Sequence, residues 1–147
     1  MLRHRFARTF VLVAAFAGLA VAGSSAALAQ DGGAITLGTG KIAVNKNYRY
    51  TIDLTCPAGP ALCEGILSID TANAIKPYRT YPKKKWIVGA FPYKVAAGAT
   101  AKVPARILGG GAAQLALTGS VKIRVQIVRD GSVVGERVLT LTKKVRA

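Results

Sequence analysis

The chain of 147 residues has one histidine, two cysteines and six carboxylates, set against 21 lysines and arginines. The histidine, His4, lies in the opening segment, which reads as a removable leader. What remains has no imidazole to serve as general base or metal ligand near neutral pH. That excludes Ser-His-Asp and Cys-His activation of a nucleophile, and two cysteines without histidine leave too few ligands for a zinc site. The carboxylates Asp31, Asp53, Glu64, Asp70, Asp130 and Glu136 are scattered along the chain. Nothing in their spacing points to a paired-carboxylate hydrolase. No catalytic residue, metal or cofactor is therefore expected.

A long hydrophobic run is also missing. The longest apolar stretch, Phe10 to Ala22, has about 13 residues, and a spanning helix needs about 20. Arg3, Arg5 and Arg8 precede it, and Ala27-Leu28-Ala29 follows as a small-x-small cleavage pattern, the layout of a secretory signal peptide. No cysteine near that point can carry a lipid, and Arg3 and Arg5 are not adjacent as a twin-arginine signal requires. The expectation is a signal peptide over residues 1–29, cleaved near Ala29, and an exported domain over residues 30–147 with no transmembrane segment. Losing the leader's three arginines takes the formal charge from +15 to +12. Such an excess favours anionic surfaces such as envelope polymers, lipid headgroups or nucleic acid, and it also keeps a protein soluble.

What is present is the period-2 pattern of half-buried strands. Tyr48, Tyr50, Ile52 and Leu54 alternate with Arg49, Thr51, Asp53 and Thr55. Val121, Ile123, Val125 and Ile127 do the same against Lys122, Arg124 and Gln126. A turn at Arg129-Asp130-Gly131-Ser132 leads into the apolar run Val133 to Leu141, so the two segments read as a hairpin. Weaker strands are Ile35 to Val44, broken by Gly38 and Gly40, then Gly65 to Thr71, Trp86 to Val95 and Ala101 to Leu108. Pro92 and Pro104 cannot donate to a ladder, so their strands are expected at sheet edges or to be irregular there. About seven strands with a turn signal every ten residues or so indicate an all-β, two-sheet antiparallel sandwich. One short helix is expected over Ala112 to Leu117, after Gly109-Gly110-Gly111. No Gly-Lys-Ser/Thr follows those glycines, so they read as a flexible connection and not a phosphate loop.

Cys56 and Cys63 enclose Pro57-Ala58-Gly59-Pro60-Ala61-Leu62, a segment that must turn. In an exported protein such a pair forms a disulfide. Without Cys-x-x-Cys spacing or an activating neighbour, a redox role is disfavoured. Thr55-Cys56-Pro57-Ala58-Gly59, then Cys63-Glu64-Gly65-Ile66-Leu67, then Gly89-Ala90-Phe91-Pro92-Tyr93-Lys94-Val95-Ala96-Ala97-Gly98, resemble the Ig-like β-sandwich modules of exported actinobacterial proteins. The resemblance runs from about Ile42 to Leu141. It implies an Ig-like sandwich outside the membrane and no particular chemistry.

One segment is unlike a plain sandwich. Lys76-Pro77-Tyr78-Arg79-Thr80-Tyr81-Pro82-Lys83-Lys84-Lys85-Trp86 holds five cations, three aromatics and two prolines in an expected intersheet loop. Its cations can neutralise phosphate or sulfate, and its rings can stack on sugars or bases. The prolines lower the ordering cost of binding. The competing assignment has Trp86 and one tyrosine plugging the end of the sandwich while the lysines face water. Lys76, Tyr78, Arg79, Tyr81, Lys83, Lys84, Lys85 and Trp86 are the candidate binding residues. Further positive charge is expected from Arg49, Lys102 and Arg106 on the other sheet, opposed only by Asp53, and from Lys143, Lys144 and Arg146 in the tail. Glu64 and Asp70 are expected to face Lys122 or Arg124 across strands. The reading is a non-catalytic secreted module that associates with the anionic cell envelope or with another secreted protein. The alternative is a dedicated binder of polyanions, acidic polysaccharide or, less favoured, nucleic acid.

Overall fold

The computed structural model describes residues 34–144. The expected signal peptide, Asp31 and Arg146 lie outside the described residues. The elements are β1 (Thr36–Leu37), β2 (Lys41–Val44), β3 (Arg49–Thr55), β4 (Cys63–Thr71), β5 (Ile87–Val95), β6 (Thr100–Arg106), α1 (Gly109–Thr118), β7 (Ser120–Arg129) and β8 (Ser132–Lys143). They form a three-stranded sheet ordered β1-β3-β6 and a five-stranded sheet ordered β2-β8-β7-β4-β5. This is the expected all-β, Ig-like sandwich, with eight strands in place of about seven.

The alternation written in the sequence becomes the two faces of each sheet. In β3, Tyr50, Ile52 and Leu54 are buried while Arg49, Thr51 and Asp53 face solvent. Leu67 and Ile69 of β4, Ile123 and Val125 of β7, and Leu139 and Leu141 of β8 supply the other side of the core. Each such side chain contributes about 1.5–3 kcal/mol by leaving water. Asp130 and Gly131, with φ of 49° and 77°, make the two-residue turn between Arg129 and Ser132. Positive φ at both positions matches the right-handed twist of the flanking strands, and Asp-Gly is a favoured pair there.

The extra strand comes from the glycines that interrupt residues 35–44. After β1 pairs with β3, the chain swings at Gly40 (φ 100°) to the other sheet, where β2 runs parallel to β8. A single broken strand is thus two strands in two sheets, and one of the pairings is parallel. Pro92 and Pro104 lie on β5 and β6, an edge strand in each sheet, as the missing donors require. Trp86 falls just before β5. Beyond Arg106 the chain leaves its strand, so Ile107 and Leu108 lead into α1.

The helix is longer than expected, and the triple glycine forms its first turn instead of a flexible connection. Gly110 and Gly111 are buried. Gly119, in the left-handed region at φ 75°, ends the helix, its N–H donating to the Leu115 carbonyl at 2.9 Å. Cys56 and Cys63 are bonded, their Cα atoms 5.8 Å apart. The bridge joins the end of β3 to the start of β4 and so ties the two sheets locally. Asp70 faces Arg124 as expected, whose Nε donates to Oδ1 at 2.9 Å and whose Nη2 donates to Oδ2. Glu64 does not face β7. It is the register partner of Lys94 on β5, at 3.8 Å. Among the described residues no helix is long and apolar enough to cross a membrane.

Candidate basic and aromatic interface

Residues 72–86 connect β4 to β5 at the end of the sandwich that also carries α1. Thr71, buried at the last position of β4, closes the base of this connection. Its N–H donates to the Trp86 carbonyl, its hydroxyl accepts from the Trp86 N–H and donates to the Asn73 carbonyl, each at 2.9 Å. Farther out, Ile75 and Lys84 exchange two backbone hydrogen bonds of 2.9 and 3.2 Å. The Tyr81 N–H donates to the Tyr78 carbonyl at 3.1 Å and makes the outer turn. The segment is therefore a short hairpin arm and not a loose tether. Pro77 is buried against it, so its fixed φ stiffens the arm from inside.

Trp86 is half-buried and acts as the post of this arm. Its Nε1 donates to the Ile75 carbonyl at 3.3 Å, and its ring lies on the first turn of α1. A Cβ at Gly110 would stand 2.6 Å from Trp86 Cε2 and closer still to Cδ2, so only glycine lets helix and indole meet. The Lys84 ammonium sits 4.5 Å from the centroid of the Trp86 ring, a cation–π contact. Tyr81 packs on Trp86 and Tyr78 on Tyr81, each pair 5.6 Å apart with planes tilted by 55° and 49°. Tyr78 and Tyr81 keep 48% and 45% of their surface in solvent. The result is a stepped aromatic ridge, anchored at the tryptophan and open at the tyrosines.

The cations surround this ridge. Lys76, Arg79, Lys83, Lys84 and Lys85 are all exposed. Among the described residues none of them has a carboxylate oxygen within 4 Å, whereas Lys94, Lys102, Arg124 and Arg129 each do. All eight candidate residues thus share one arm, with Trp86 in a different position from the rest. Gly110, Thr71 and Ile75 support the site and escaped sequence reasoning. The triple glycine was the available signal for Gly110, but glycine that permits close packing looks the same in sequence as glycine that permits flexibility.

A concavity lies at the opposite end of the sandwich. It is a shallow groove of about 610 Å³ lined by Glu64, Ile66, Pro92, Tyr93, Lys94 and Asp130, among others. Burial pushes the Tyr93 phenol above its ordinary range, with Arg129 opposing and Asp130 adding to the shift. Among the described residues no cluster of three or more His, Cys, Asp or Glu stands where it could hold a metal ion.

No family model and no curated protein sequence matches the chain. Among solved structures it is similar to part of a β-glucosidase from Listeria innocua, solved in complex with glucose. The TM-score is 0.42 and the identity 11%, and the match covers 74% of this chain and 16% of that one. A likeness at that level carries no argument about activity.

Proposed function

We propose that this protein is an exported, non-catalytic Ig-like module that associates with an anionic polymer of the cell envelope through the arm at residues 76–86. One observation carries the reading: five exposed cations without carboxylate partners among the described residues are held around a rigid aromatic ridge. An arm this well hydrogen-bonded loses little freedom on binding, so its charges act at small entropic cost. Lysine predominates over arginine by four to one in the arm. Mobile point charges suit a repeating anionic chain better than a single ligand of fixed shape. The leader-like first 29 residues, the disulfide and the resemblance to exported modules support a setting outside the inner membrane. Fractionation of producing cells tests the reading. The protein is expected in the envelope fraction and to elute as salt approaches about 0.5 M, where screening shortens to a few ångströms. A protein found in the cytosol, or held in the envelope regardless of salt, contradicts it.

A secreted protein partner is the second reading. Ile87, 84% exposed on edge strand β5 beside Trp86, favours it. Such a contact centres on Ile87 and persists in high salt.

A further inference from the structure

Arg49 and Arg106 are direct register partners across β3 and β6, and both are exposed on the outer face of the three-stranded sheet. Like charges placed directly opposite destabilise a strand pair. Farther along the same face the sheet shows the ordinary solution, where Lys102 Nζ lies 2.9 Å from Asp53 Oδ1. Among the described residues no carboxylate lies within 4 Å of either arginine. Beside this pair the backbone is strained. Tyr48 sits at φ 59°, held there because its carbonyl accepts from the Ile107 N–H at 2.9 Å and its N–H donates to the Asn45 carbonyl at 3.0 Å. The turn's own hydrogen bonds hold Tyr48, but the like-charge opposition of Arg49 and Arg106 has no relieving partner among the described residues, which marks the pair as a position kept for an anion.

The topology places this pair at the same end of the sandwich as the arm. Arg106 leads through Ile107 and Leu108 into the first turn of α1, the turn on which Trp86 rests. Arg49 begins β3 at the same end, next to Lys46. Building on the proposed association with an anionic polymer, we infer that Arg49 and Arg106 form a second anion seat. It takes phosphate groups of a chain polymer that also contacts the arm. Guanidinium forks pair bidentately with phosphate, and oxygens arranged tetrahedrally let two forks approach from different sides. A polymer without bases is favoured over nucleic acid: Gly110 and Lys84 occupy the Trp86 ring, and Tyr78 and Tyr81, although exposed, are tilted to each other and offer no parallel platform for successive bases.

The test is equilibrium binding of the purified protein to inorganic polyphosphate as a function of salt. Arg49→Ala/Arg106→Ala is expected to weaken binding about tenfold at low salt and to lessen the salt slope by about one to two, the count of lost phosphate contacts. Its melting temperature is expected to hold or rise, since a like-charge pair is removed. Lys94→Ala/Arg129→Ala, at the opposite end, is expected to bind as the parent does. If Arg49→Ala/Arg106→Ala binds as the parent does while Lys83→Ala/Lys84→Ala/Lys85→Ala binds poorly, the second seat is wrong and the arm reading stands. If the parent protein shows no salt-dependent binding, both fall. Equal or tighter binding of polyglutamate of matched charge rejects the phosphate seat, and equal or tighter binding of single-stranded DNA overturns the assignment of a polymer without bases.

Discussion

Tyr50 buries its ring and its hydroxyl in the core, and no group among the described residues meets that oxygen. Desolvation pushes its ionisation well above the ordinary range. In the unfolded chain the same phenol ionises near about pH 10. Above that pH the unfolded state binds fewer protons than the folded state, so stability is intact below about pH 10 and falls as pH rises further. Tyr50→Phe removes the orphan hydroxyl. It is expected to leave stability at pH 7 unchanged or raise it by up to about 1 kcal/mol, and to lessen the alkaline loss, as read by thermal melts between neutral and strongly alkaline pH. A variant much less stable than the parent at pH 7 would mean that the hydroxyl is satisfied in solution. Gly110 is the converse case, a position where adding one carbon does harm. Gly110→Ala drives a methyl into the Trp86 ring and is expected to destabilise by about 1–3 kcal/mol, with a change in tryptophan emission as the indole leaves its seat. An unchanged spectrum would show that ring and helix do not meet. Neither residue's role was legible from the sequence: alternation put Tyr50 on the buried face but was silent on its hydroxyl, and the triple glycine read as a flexible connection.

At the scale of elements, the strands were legible wherever one face is buried and the other wet, as in β3 and β7, because a period of 2 has no other reading at that length. The Asp-Gly turn and the prolines at edges were legible for equally local reasons. The switch of β1 and β2 between sheets was not, because Gly38 and Gly40 show only that a strand is interrupted and pairing is decided by distant β3 and β8. The disulfide was legible from compartment and count. Closing its eight-residue loop stabilises by roughly 2.5 kcal/mol in the chain-entropy model, so Cys56→Ala/Cys63→Ala is expected to lower stability by about that much in denaturant titration. A loss near zero would mean the loop is already constrained when the bridge is open. The prolines guard edges. Pro92→Thr/Pro104→Thr restores two ladder donors on β5 and β6 and is expected to promote self-association in sedimentation at raised concentration. Unchanged self-association would place the protection in the neighbouring charges Lys94, Lys102 and Arg106 instead.

The whole molecule is electrically lopsided. One end of the sandwich gathers the arm at 76–86, Lys46, Arg49, Arg106 and the exit of β8 at Lys143 and Lys144, with Asp70 already taken by Arg124. The other end holds Glu64 and Asp130, each paired with a cation, Lys94 and Arg129, together with the disulfide. An excess of cations on the arm, the three-stranded sheet and the tail was legible from composition once strands were assigned, but their meeting at one pole depends on topology. That pole is where the account stands or falls. The most direct measurement is the affinity of the purified protein for inorganic polyphosphate between about 50 and 500 mM salt, set beside that of Lys83→Ala/Lys84→Ala/Lys85→Ala. Affinity is expected to fall steeply with salt, and the triple variant to bind more weakly with a slope shallower by about two to three. Binding that ignores salt, or a triple variant that matches its parent throughout, would contradict the proposed association.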